Sequence, residues 1–159
     1  MKTLKIFLIM ILLTNFVPPV FAQELKEAKR NAKVVDIQGE VLVRLQKAKI
    51  WQPAETGMVL NEGDIIKTKD NSTAVIHVMD GEQQAAMVDI KKNSQLMIAE
   101  LRTDKKNLVE HTLLDLAIGK ILVTARKLHE KKSKFEIKTP TSIVGIRGTT
   151  FTVEVDGLK

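Results

Sequence analysis

The chain contains no cysteine in its 159 residues. That absence excludes a disulfide framework, a thiolate metal site and a cysteine nucleophile. A bacterial lipoprotein signal also needs a cysteine after its cleavage site, so lipid anchoring by that route is excluded. Aromatic residues are scarce, with one tryptophan, five phenylalanines and no tyrosine. A base-stacking platform for nucleic acid is therefore not available. His77, His111 and His129 are far apart and sit in unrelated contexts. Asp64, Asp80 and Asp89 lack calcium-loop spacing, and Ser72, Ser94, Ser133 and Ser142 have no nucleophile elbow around them. Gly119-Lys120 lacks the earlier spaced glycine of a phosphate-binding loop. The residues point to no enzyme, no cofactor and no metal site.

The first 22 residues have the three-part grammar of a secretory signal peptide. Lys2 and Lys5 form a basic start, Ile6 to Leu13 is an unbroken apolar run, and Val20-Phe21-Ala22 supplies a cleavage site. The run is short against the roughly 20 residues that span a bilayer. Cleavage would leave 137 of the 159 residues, from Gln23 onward. That is one ordinary domain, large enough to bury a core. Two of the 25 basic residues and none of the 19 acidic ones lie before residue 23, which leaves 23 against 19, or +4. The expected destination is the bacterial periplasm or the exterior, so nucleic acid is not an expected partner.

Residues 23–33 ("QELKEAKRNAK") are polar and rich in helix formers, and read as a polar leader, either a short exposed helix or a loose segment. From Val34 the pattern turns to period two. "VVDIQGEVLVRL", "GDIIKT", "STAVIHVMD", "GEQQAAMVDI", "SQLMIAEL", "KFEIKT" and "GTTFTVEV" all alternate. Asp80-Gly81 is a hairpin signal. Short strands recurring every 8–15 residues indicate an all-β domain. The expected fold is a small antiparallel β roll or solenoid-like sandwich of short strands and hairpins over residues 34–159. Residues 113–128 also fit a helical period, but the neighbouring pattern favours strand.

"KTPTSIVGIRGTTF" (138–151) interrupts a strand-like run with Pro140, Gly145, Arg147 and Gly148. Gly145 to Gly148 matches the GxxG of nucleic-acid clamps, but that use needs flanking helices. The expected role is structural. Pro140 belongs at a strand start or edge, and the two glycines permit a bulge or a close backbone crossing while Ile143, Val144 and Ile146 stay packed. Nearby, Arg126, Lys127, Lys131, Lys132 and Lys134 form a basic run. It reads first as a solvated connection and second as a handle for an anionic surface.

With these residues laid out, the chain resembles the FecR domain family over residues 39–155. The landmarks are "GEV" (39–41), "WQPAETGMVLNEGDIIKT" (51–68), "NSTAVIHVMDG" (71–81), "LLDLAIGKI" (113–121) and "FEIKTPTSIVGIRGTTFTV" (135–153). The family signature falls on Trp51, Pro53, Gly57, Gly63, Asp64, Asn71, Ser72, Gly119, Thr139, Pro140, Thr141, Gly145, Arg147, Gly148, Thr149 and Phe151. The resemblance implies an all-β periplasmic domain. It also implies kinship with iron-uptake regulators that sense a loaded TonB-dependent transporter and control a sigma factor. Those regulators carry a cytoplasmic segment before a membrane helix. Here five residues precede the apolar run, so the expectation is an exported, stand-alone domain rather than a direct sigma-factor regulator.

Asp156-Gly157 follows a strand and predicts a returning strand. The final strand, with Thr152, Val153, Glu154 and Val155, is then an unpaired edge. Three explanations stand open: a truncated C-terminal end, a strand whose other neighbour suffices, and an edge completed by a partner chain. The expected partner is another envelope protein, or a second copy through that edge. The functional expectation is non-enzymatic recognition or signal sensing in the envelope. Its alternatives are an accessory role in iron-uptake signalling and a structural, polyanion-binding role.

Overall fold

The computed structural model describes residues 28–104, 106–127 and 132–157. The expected signal peptide lies outside the described residues. The structure is all-β, a curled sheet of thirteen described strands. They are β1 (Ala28–Lys29), β2 (Asn31–Gln38), β3 (Val41–Arg44), β4 (Gln52–Pro53), β5 (Val59–Leu60), β6 (Ile65–Thr68) and β7 (Thr73–Asp80). There follow β8 (Gln83–Ile90), β9 (Gln95–Asp104), β10 (Val109–Ala125), β11 (Lys134–Lys138), β12 (Ile143–Ile146) and β13 (Thr150–Val155). Residues 28–33, expected in a helix or a loose leader, instead form β1 and the start of β2, and Arg30 is buried.

β10 organises the fold. Its first part pairs with β9 and β11, and its second part with β8 and β13. One half of the curled sheet therefore carries β4-β3-β6-β9-β10-β11-β12, with β1 also paired to β9, and the other half carries β5-β2-β7-β8-β10-β13. All described pairings are antiparallel except β10 with β11. Two parts of the expectation are corrected here. β10 is 17 residues long rather than short, and one ladder is parallel. β11 starts beside His111 and runs parallel to the first part of β10.

The two layers enclose one core, in which Val34, Ile66, Ile76, Ile90, Leu96, Leu114, Ile121 and Ile137 are fully buried. Alternation within β10 shows how one strand serves both layers. Leu114 and Leu116 point inward, as do Ile121 and Val123, yet the first pair is even-numbered and the second odd. The bulge between Leu116 and Ile118 supplies the one-residue slip that changes the parity.

The bend in β10 faces the turn between β8 and β9. Ile118 pairs with Gln95 at the start of β9, and Ile121 pairs with Ile90 at the end of β8. Two turns there share one device. Asn71 and Asn93 both take left-handed backbone geometry, with φ 51° and 55°. The serine after each, Ser72 or Ser94, accepts a 2.9 Å bond from the backbone N–H of Glu40 or Lys120. Those two residues follow Gly39 and Gly119. Thr68 joins the turns by donating to the Lys91 carbonyl (2.6 Å) and accepting from Ser94 N–H (3.0 Å). Buried backbone groups at the bend are thus satisfied by side chains where the ladder is interrupted.

A buried carboxylate holds the loop between β5 and β6. Asp64 accepts from the backbone N–H groups of Gln46 and Asn61, both at 2.7 Å. Asp64→Ala leaves both donors without that acceptor, and should lower unfolding free energy by about 2 kcal/mol in urea titration. Asp64→Asn, which keeps one acceptor oxygen, should cost less.

Candidate protein-binding edge

The two long sides of the curled sheet differ. On one side β4 and β5 belong to a single short segment. It is bonded from Ala54 N–H to the Val41 carbonyl (2.9 Å) and from Gly57 N–H to the Val34 carbonyl (2.7 Å). That side is closed. On the other side the last strands are β12 in one layer and β13 in the other, and they do not pair with each other.

The stretch 138–151 builds that open side. Pro140-Thr141 is the tip of a hairpin between β11 and β12. Thr139 N–H donates to the Ser142 carbonyl (2.8 Å), and Thr139 Oγ1 accepts from Ser142 N–H (3.0 Å). Proline suits such a tip because its φ is already set. Gly148 has φ +67°, and a Cβ on it would lie 2.5 Å from Lys127 Cα, so the expected close crossing is real there. Gly145 needs no such explanation. A Cβ on it would meet nothing within 4 Å, and its register with Glu136 is regular.

Which backbone groups of β13 face outward follows from alternation. Ala125 N–H bonds the Thr149 carbonyl at 3.2 Å, and Lys91 N–H bonds the Lys120 carbonyl at 2.9 Å. In an antiparallel ladder the bonded pairs alternate. Residues 151, 153 and 155 therefore bond to β10, while the N–H and C=O of Thr150, Thr152 and Glu154 point away from it. The edge expected at residues 152–155 is present, with its outward groups at the even positions.

Beyond β10 one layer carries two strands, β11 and β12, and the other carries only β13. The layers are unequal by one strand. Val144 registers with Ile137 and shares its inward face, yet it is 38% exposed, whereas Ile137 is fully buried. Ile143 is 62% exposed. The expectation that both pack is corrected: β12 overhangs a position that no described strand fills, and only Ile146 reaches the core. A groove of about 740 Å³ opens here, lined by Ile118, Pro140, Val144, Val153, Val155 and Asp156 among others. Ile118, at the bulge, is 41% exposed. Glu154 pairs with Lys120 (2.9 Å), and Asp156 is exposed and makes no ion pair among the described residues.

A second charged cluster lies away from the groove. The Arg30 side chain is 1% exposed. Its Nε bonds the Met79 carbonyl (3.1 Å), Nη1 bonds Thr112 (3.0 Å), and Nη2 faces Glu110 at 3.7 Å, too long for a hydrogen bond. Arg126 bridges Asp80 (2.8 Å) and Glu110 (2.6 Å). Burial lowers the Arg30 pKa below its ordinary value despite both carboxylates. Burial pulls Arg126 down too, but its bonds to Asp80 and Glu110 more than offset that and raise it. The cluster fastens β2 to β7 and β10, and Arg126 is thereby withdrawn from the expected basic surface.

Lys127, Lys132 and Lys134 are exposed, and Lys131 lies outside the described residues. Trp51 lies beneath Arg44 (5.2 Å) and Lys67 (5.9 Å). His77 and His111 are half-buried on separate strands, and His129 lies outside the described residues. Among the described residues no His/Cys/Asp/Glu group could hold a metal ion, and no helix is long and apolar enough to cross a membrane. Sequence reasoning missed Ile118, Val144 and Asp156 as parts of one groove. The unequal strand count behind it depends on the crossover after β10, which leaves no local pattern. No curated protein and no solved structure matches the chain. A family description, FecR protein, matches residues 64–159, which hold the bend at Ser94 and Gly119 and the whole open side. The chain belongs to the FecR protein family.

Proposed function

We propose that this protein is an exported envelope domain that works by recognising another protein, not by catalysis. The observation that carries the reading is the open side. β13 presents an edge that no described strand pairs with, beside an apolar groove, and β12 leaves Val144 and Ile143 uncovered. Exposed edges are usually blunted or covered, and an edge beside a groove suits strand addition by a partner. Family membership favours a place beside transenvelope signalling in iron uptake, and expression that rises or falls with iron supply would support that finer assignment. A polyanion-binding role is less favoured, because Arg126 is engaged internally by Asp80 and Glu110.

The test is site-specific photocrosslinking in the native cell, from Thr152 and, as a control, from Lys33 on the far side of the same layer. A distinct envelope protein captured from position 152 alone is expected. That protein, once purified, should slow amide exchange at Thr152 and Glu154. Equal capture from both positions, or unchanged exchange, would sink the reading.

A further inference from the structure

The open side also constrains what fills it, and this step rests on the recognition reading above. The layers differ by one strand beyond β10, so the unfilled position is one strand wide. A second copy joined edge to edge through β13 would bring its own β11 and β12 into the space facing that position, where β12 already lies. A single extended segment fits without that conflict. The backbone groups of Thr150, Thr152 and Glu154 set its spacing, since every second residue of an added strand pairs with them. Residues opposite Phe151, Val153 and Val155 turn inward toward Val144 and Ile118, and apolar side chains are favoured there. At the bend end, Asp156 lines the groove and forms no ion pair among the described residues, while Lys91 and Lys120 of the adjoining pocket are engaged by Asp89 and Glu154. A cation on the segment complements it.

We infer that the bound partner segment is a single strand, antiparallel to β13 as every ladder of this layer is, with a lysine or arginine beside Asp156 followed by apolar residues at alternate positions. It completes the shorter layer and covers Val144.

The probe is a blocked, fluorescently labelled peptide reading lysine, then three repeats of valine-threonine, titrated against the protein carrying residues 23–159. Saturable binding is expected, with slowed amide exchange at Thr152 and Glu154. Thr152→Pro removes an outward N–H and leaves the ladder to β10 intact. It should abolish binding while the melting transition stays in place. Glutamate for the peptide lysine should weaken binding roughly fivefold, and Asp156→Lys should reverse that preference. Three results would overturn the inference: no saturable binding, binding without protection at Thr152 and Glu154, and binding indifferent to both substitutions. Two rival occupants are checked as well: a dimer in sedimentation of the protein alone that protects Thr152, or a longer product of the same gene whose own residues after 159 protect Thr152, would also overturn it. A partner captured from position 152 that binds where the peptide does not would defeat this chemistry and leave the recognition reading standing. Failure of the capture itself would defeat that reading.

Discussion

Gly119→Ala is expected to cost about 4 kcal/mol of unfolding free energy, enough to leave much of the chain unfolded. Two independent strains add. Gly119 has φ +95°, a region that side-chain-bearing residues rarely enter. A Cβ there would also lie 2.2 Å from Ser94 Oγ and 2.4 Å from Ser94 Cα. The second contact is to backbone, so Ser94→Gly should rescue little. Any shift also disturbs the bonds from Ser94 to both backbone groups of Lys120. Gly145→Ala is the matched control. It has open space and ordinary backbone geometry, and should change stability by less than about 0.5 kcal/mol. Urea unfolding followed by circular dichroism measures both. A Gly119→Ala protein as stable as the parent would refute the account of the bend.

Glu110→Gln should cost about 3 kcal/mol, because it strips one of two carboxylates from the buried Arg30 and its half-buried neighbour Arg126. Arg30 is held among strands, with a side chain that water scarcely reaches. Its charge is tolerated because Asp80 and Glu110 both face it. Without Glu110, Arg30 and Arg126 share Asp80 and repel each other. The cost therefore exceeds that of a surface pair, which is typically below about 1 kcal/mol. Adding Arg30→Met to Glu110→Gln should return part of the loss, and a double-mutant cycle reads the coupling. Additive effects of the two substitutions would mean that Arg30 and Glu110 do not interact energetically.

Much of the fold was legible because a strand buried on one face writes period two into the chain. Phe135 and Ile137, Leu96 and Ile98, and the Asp80-Gly81 turn all stand where alternation places them. The limits of that reading are equally physical. Arg30 sits in a polar stretch, so no local rule announces that a charge there is buried. Its partners lie 50 and 80 positions away in sequence. The repeated Asn-Ser at 71–72 and 93–94 was visible as letters, but its meaning depends on Gly39 and Gly119 arriving beside it. The edge at β13 was readable from its position. The groove was not, because Ile143 and Val144 look like core residues until the strands are counted on both sides of β10.

The sharing of β10 between the layers also fixes an order of events. β8 and β9 both precede it in the chain, and β11 and β13 both follow it, yet all four find a ladder partner in it. A chain that emerges N-terminus first therefore holds its early strands with open inner edges until residue 125 is out. Such edges invite wrong pairings during that interval. When β10 does arrive, it closes both layers in one event, so neither layer has a finished state without the other.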